Sequence, residues 1–114
     1  MIVDDDEGLV STFKGILEAE GYNVDVATTG RGALEKCEDT VFDLVILDFM
    51  LPDMRGDEVL RYLKKIHRGL KVLLITGYST FKDSIDALSL GISEILLKPI
   101  SPEELLRAAG EALS

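Results

Sequence analysis

Two runs in this chain, Leu44-Val45-Ile46-Leu47 and Val72-Leu73-Leu74-Ile75, are apolar at every position and stop at Asp48 and Thr76. A strand with water on one face alternates polar and apolar residues, whereas an unbroken apolar run must be covered on both faces. That requirement points to a parallel sheet between two layers of helices. Two shorter runs end in the same way, Ile2-Val3 at Asp4-Asp5 and Ile95-Leu96-Leu97 at Lys98. In an open α/β sheet, ligands bind outside the carboxyl ends of the strands. If the four runs are parallel strands, three carboxylates, a hydroxyl and an ammonium converge on one cleft. This donor set suits a hard divalent cation and a phosphoryl group.

The stretches between the runs are amphipathic. Residues 7–20 read as a helix with Leu9, Phe13, Ile16 and Leu17 on one face, stopped by Gly21. Residues 23–27 alternate, with Val24 and Val26 on one side, as a half-exposed edge strand does. A helix over 30–39 follows, with Thr28 or Thr29 as its cap, then the strand ending at Asp48 and a loop over 49–56 that contains Pro52. The spacing predicts helices over 57–66, with Val59, Leu60, Leu63 and Ile66 inward, and over 80–90, with Phe81, Ile85 and Leu88 on one stripe. Glu94 begins the last strand, and Ser101-Pro102-Glu103-Glu104 is a capping box opening a final helix with Leu105, Ala109 and Ala112 inward. Five βα units in sequence imply right-handed crossovers and helices on both faces. The pattern leaves the strand order open, although the alternating second strand fits best at an edge.

At 114 residues the chain is expected to be one domain, residues 1–114, and its 46% hydrophobic content supplies a core. A single cysteine, Cys37, excludes an internal disulfide and a cysteine-based zinc site; with Leu34 it lies on the apolar face of its helix and reads as core. No run approaches the roughly 18 apolar residues of a membrane span, and the acidic start does not resemble a signal peptide. The expectation is a cytoplasmic protein with no membrane partner. The net charge of −9 argues against direct binding of nucleic acid.

Val3-Asp4-Asp5, Asp48 with Leu51-Pro52 and Gly56, Thr76-Gly77 and Lys98-Pro99 follow one another at strand ends. In this order they resemble the receiver domain of bacterial two-component response regulators, over nearly the whole chain. The resemblance implies a flavodoxin-like doubly wound fold, (βα)5, with a five-stranded parallel sheet in the order 2-1-3-4-5. It also implies a phosphoacceptor signalling module that catalyses only its own phosphorylation and dephosphorylation. Asp48 would be the nucleophile, forming an acyl phosphate with a phosphoryl group from the phosphohistidine of a sensor histidine kinase or a histidine phosphotransfer protein. By the same resemblance Asp5 and Asp48 bind Mg²⁺ directly, the Met50 backbone carbonyl adds a ligand, and Asp4 acts largely through water. Thr76 would donate its hydroxyl to a phosphoryl oxygen, and Lys98 would offset the phosphoryl charge, with a cis bond to Pro99. The output surface would comprise the fourth helix, fifth strand and fifth helix, with Phe81, Ser84 and Ile95 as candidates, and would reach an effector domain or protein.

Each residue also has a plainer reading. A strand-end aspartate can satisfy loop amides, acidic residues before a helix cap it, and a strand-end lysine can reach for solvent. Asp6 and Glu7 are read as capping residues only, and His67, near a helix end, as a surface residue. Three carboxylates in one cleft repel, so at least one pKa should rise unless a cation enters. Two positions depart from the family. Ile95 stands where an aromatic residue usually precedes the lysine by three, and only Met1 precedes the first strand. Met50 and Tyr78, each two positions after Asp48 and Thr76, are expected to flank the phosphoryl group and limit attack by water. A phosphatase of the haloacid-dehalogenase type would need an aspartate where Met50 stands, and the Asp4-Asp5-Asp6-Glu7 loop would repel a flavin phosphate. A phosphate-independent, receiver-like interaction module is the remaining alternative.

Overall fold

A computed structural model describes residues 1–77 and 91–114. The elements are β1 (Ile2–Val3), α1 (Glu7–Ala19), β2 (Val26–Ala27), α2 (Gly30–Asp39), β3 (Leu44–Asp48), α3 (Gly56–Ile66), β4 (Lys71–Thr76), β5 (Glu94–Leu97) and α4 (Pro102–Leu113). The expected helix over 80–90, with Phe81, Ser84, Ile85 and Leu88, lies outside the described residues, as does Tyr78.

All neighbouring strands pair in parallel, in the order β2-β1-β3-β4-β5. The central strands divide their side chains between two cores with the period of two that a pleated strand imposes. Val45, Leu47, Val72 and Leu74 face one way and pack with Ala33 of α2 and Val59, Leu60 and Leu63 of α3. Ile46, Leu73, Ile75 and Leu96 face the other way, against Val10, Phe13 and Leu17 of α1 and Leu105, Ala108 and Ala109 of α4. The unbroken apolar runs therefore lie between two helical layers.

The helix ends follow local chemistry. Asp6 caps α1 by accepting from the Leu9 amide at 3.1 Å, and Gly21, at φ 95°, takes the left-handed turn that ends the segment. Thr29, not Thr28, caps α2 through the Gly32 amide at 3.0 Å. Ser101 caps α4 through the Glu104 amide at 3.1 Å, with Pro102 in its first turn.

Three expectations are corrected. The second strand is at the edge but covers only Val26–Ala27, because its sole neighbour β1 offers two residues, Ile2 and Val3, to pair with. Ile66 does not face inward: it is 44% exposed, because the buried stripe of α3 ends at Leu63 and Leu70 takes the next buried place. Ile95 cannot present itself to a partner, since it is 9% exposed and packed in the core shared with α2 and α3.

Candidate functional site

Register brings the polar strand ends together. Val3 pairs with Leu47, so Asp4 follows at the level of Asp48. Asp48 pairs with Ile75, and Thr76 with Leu97, which places Lys98 one step further along β5's exit. Backbone bonds carry the ladder past the last pairs: the Phe49 amide donates to the Ile75 carbonyl at 2.8 Å, and the Lys98 amide to the Thr76 carbonyl at 2.7 Å. The rigid sheet thus sets the spacing of groups that are far apart in sequence.

Asp4 and Thr76 are fully buried and Asp48 is 5% exposed, whereas Asp5 faces solvent. One carboxylate oxygen from each of Asp4, Asp5 and Asp48 lies within 4.8 Å of the others. Asp4 Oδ1 accepts from the Asp6 amide at 2.9 Å, while its buried Oδ2 makes no hydrogen bond and faces the Lys98 ammonium across 2.9 Å as an ion pair. Lys98 Nζ is also 3.4 Å from Asp48 Oδ2, and the Met50 amide is 3.4 Å from Asp48 Oδ1. One lysine therefore bridges two buried carboxylates. The bond between Lys98 and Pro99 is cis, as the resemblance implied.

The electrostatics follow from crowding. Burial, then the neighbouring Asp4 charge, pushes the Asp48 carboxyl up to about 6 against the pull of Lys98. Burial works against the Lys98 ammonium too, but Asp4 and Asp48 outweigh it and hold its pKa above the usual lysine value. The repulsion expected among the carboxylates is thus expressed at Asp48. Three hard oxygen donors at this spacing fit a small divalent cation.

The loop after β3 contains two features that the sequence did not announce. Met50 and Arg55 close its base as an isolated bridge, and the Gly56 amide donates to the Phe49 carbonyl at 2.6 Å. At its tip Asp53 accepts from the Gly30 and Arg31 amides, at 2.8 and 2.9 Å, and so caps α2 from a distant part of the chain. The Met50 side chain is 46% exposed beside the cleft, and His67, read as a surface residue, is half-buried at the end of α3 with its Nδ1 enclosed.

The Asp53 cap yields a prediction. The Arg31 and Gly30 amides hold the Asp53 carboxyl below the usual carboxylate range. Its stabilisation is therefore present above the unfolded-state value of about 4 and is lost as pH falls through the lower folded value. Asp53→Ala should cost about 1 kcal/mol at pH 7, with the difference from wild type vanishing in strong acid. Urea unfolding at several pH values checks this.

Fold and cleft together define an α/β receiver-type domain, a doubly wound sheet with an acidic cluster and a lysine at its carboxyl edge. The profile of the response regulator receiver domain matches residues 1–110. The chain is 34% identical over all its 114 residues to the transcriptional regulatory protein ZraR of Escherichia coli K12, and spans 26% of that protein's length. Among solved structures, the CheY-like response regulator receiver domain protein from Methanospirillum hungatei is 39% identical, with a TM-score of 0.92 over 98% of this chain and 90% of that one. A response regulator from Burkholderia pseudomallei, solved with a phosphorylated aspartic acid, calcium ion and citrate, is 27% identical, with a TM-score of 0.84 over 94% of this chain and 63% of that one. The chain belongs to the response regulator receiver family. No helix among the described residues is long and apolar enough to cross a membrane.

Proposed function

We propose that this receiver domain accepts a phosphoryl group on Asp48 from the phosphohistidine of a sensor histidine kinase or a histidine phosphotransfer protein. The observation that carries this reading is the placement of Lys98 Nζ, 2.9 Å from Asp4 Oδ2 and 3.4 Å from Asp48 Oδ2, in a cleft with three clustered carboxylates. The Burkholderia pseudomallei relative, which carries a phosphorylated aspartic acid, supports it.

An Asp48 carboxylate oxygen attacks phosphorus, the bond from phosphorus to the imidazole nitrogen breaks, and the imidazole leaves with the electron pair. β3 fixes the backbone of the nucleophile, which limits its motion during in-line attack. Lys98 neutralises one phosphoryl oxygen, and the Thr76 hydroxyl donates to another. Asp5, Asp48 and the Met50 carbonyl would hold Mg²⁺ directly, and Asp4 largely through water. When bound, the ion lowers the carboxylate repulsion and stabilises charge on the transferring group. Met50, exposed beside the cleft, would limit access of water to the acyl phosphate.

The output would run to an effector, since the curated relatives are transcriptional regulators much longer than this chain. The segment 80–90, β5 and α4 form the proposed output surface, with Ile95 acting from within the core. Beryllofluoride, a phosphoryl mimic, tests the site without a kinase. With Mg²⁺, calorimetry should record one beryllofluoride per wild-type chain, none for Asp48→Asn and weaker binding by roughly tenfold or more for Lys98→Met. If wild type with Mg²⁺ bound no beryllofluoride, the chain would be a phosphate-independent interaction module.

A further inference from the structure

The outer face of α2 and α3 carries charge in an order that the fold uses only in part: Asp57 pairs with Arg55 and Arg61, and the Lys65 ammonium lies 5.5 Å from the centre of the Tyr62 ring. On α2, Arg31 in the first turn is followed by Glu35, Glu38 and Asp39; on α3, Asp57 and Glu58 in the first turn are followed by Arg61 and Lys65, with Arg68 just beyond. For α3 this order suits the helix dipole, but on the outer face of α2 it is reversed, with acids at the negative end and the one base of the last turn, Lys36, paired instead with Asp25. Helix stability therefore does not account for the α2 pattern. None of Arg31, Glu35, Glu38, Asp39, Lys65 and Arg68 forms an ion pair with another described residue.

The two helices lie side by side on one face of the sheet and, as crossovers between parallel strands, run in the same direction. Gly30, the first residue of α2, packs against Val59, the fourth of α3, since a Cβ added at Gly30 would lie 2.9 Å from Val59 Cγ2, so α2 residues stand level with α3 residues about a turn further along that helix. Tyr62 and Ile66 follow Val59 at helical spacing, three and seven residues on, and continue this α2-facing edge outward, 50% and 44% exposed. The face thus has an apolar seam flanked by opposite charges at matching heights.

We infer that the α2–α3 face is a self-complementary docking surface for a second copy of this chain. A two-fold axis parallel to the helices, in the plane between the copies, sets α2 of one protomer over α3 of its partner with heights preserved. Glu35 and Glu38 of one copy then meet Lys65 and Arg68 at the basic end of the opposing α3. Tyr62 and Ile66 of the two copies close on each other along the axis. An acidic or basic foreign partner would complement only one helix, whereas a second copy complements both.

Helices of ten and eleven residues offer a small face, below the size of stable interfaces, so the association is weak and reversible. Two chains of charge −9 repel at low salt, but at physiological ionic strength a Debye length of about 8 Å leaves mainly the facing groups. The face is opposite α1 and α4 across the sheet, so pairing leaves that side open.

Sedimentation equilibrium at submillimolar concentration tests the inference. Wild type should dimerise, and the reversals Glu35→Lys/Glu38→Lys and Lys65→Glu/Arg68→Glu should each weaken self-association by roughly tenfold or more. An equimolar mixture of the two variants should recover wild-type association, because every facing pair is then again of opposite sign. Net charge cannot mimic this, since the lysine variant is closer to neutral yet should associate less than wild type. Circular dichroism checks folding, and the single pair Glu38→Lys with Lys65→Glu serves if a double variant unfolds. A wild type that stays monomeric, or a mixture that stays apart, overturns the inference and leaves the face to a different protein.

Discussion

Asp48→Asn should melt at a higher temperature than wild type in chelator at neutral pH, while losing all capacity to take a phosphoryl group. Folding forces the Asp48 carboxylate into a buried site beside Asp4, which raises its pKa from 3.8 to about 6. A raised carboxyl pKa means that the folded state binds the proton more tightly, so wild type loses stability as pH rises from about 4 to about 6. A shift of this size corresponds to about 3 kcal/mol, which solvent screening at the cleft mouth reduces to about 1–2 kcal/mol. Asparagine has no charge to place there and escapes that cost. The expected gain is roughly 4–8 °C in Tm per kcal/mol for a domain of this size. The gap should close below about pH 4, where both states of wild type are protonated, and Mg²⁺ should narrow it at neutral pH by stabilising wild type. Thermal melts of both proteins across pH, with and without Mg²⁺, measure all three effects. A variant less stable than wild type in chelator would contradict the repulsion described at the cleft.

Gly56→Ala should damage fold and site together. A Cβ at this position would lie 2.7 Å from the Asp48 carbonyl oxygen and 2.7 Å from Phe49 Cα. Both are backbone atoms at the end of β3, held by the sheet, so neither can swing aside as a flexible side chain would. Relief requires moving the start of α3 or the segment that carries the nucleophile, at a cost of roughly 2–3 kcal/mol or more. The Gly56 amide bond to the Phe49 carbonyl, 2.6 Å long, would be strained by the same shift. Gly15→Ala in α1 and Gly110→Ala in α4 are the controls, because an added Cβ meets nothing within 4 Å at either position. Those two should stabilise by about 0.5–1 kcal/mol through helix preference. Urea midpoints for the three variants, followed by phosphoryl uptake under folding conditions, separate the effects. Unchanged stability for Gly56→Ala would show that the loop after β3 is softer than its contacts imply.

The site was legible from sequence because its members stand where apolar runs stop, and a parallel sheet turns such stops into neighbours. Asp4, Asp48, Thr76 and Lys98 need parallel pairing and a strand order; the pairing follows from the apolar runs over 45–47 and 72–75, buried on both faces, whereas the order came only from the family resemblance. What escaped depended on contacts without a local signal. Asp53 caps a helix more than twenty residues earlier, and nothing in its neighbourhood distinguishes it from an ordinary turn aspartate. Gly56 was visible as part of a motif, but its need for an empty Cβ position arises from a backbone that only the fold brings near. Ile66 fits the apolar spacing of α3 yet sits where the core has already ended, so periodicity assigned it the wrong side. The second strand was read too long because its length is set by its partner β1 and not by its own alternation.

The central claim, that Asp48 accepts a phosphoryl group in a cation-dependent reaction, is tested most directly by intact mass. Wild type and Asp48→Asn are incubated with acetyl phosphate, with Mg²⁺ and with chelator, and weighed before hydrolysis can erase the product. The account predicts a gain of one phosphoryl group in wild type with Mg²⁺ and in none of the other three samples. A gain that persists in Asp48→Asn or in chelator would contradict it, as would wild type that neither gains mass nor binds beryllofluoride with Mg²⁺.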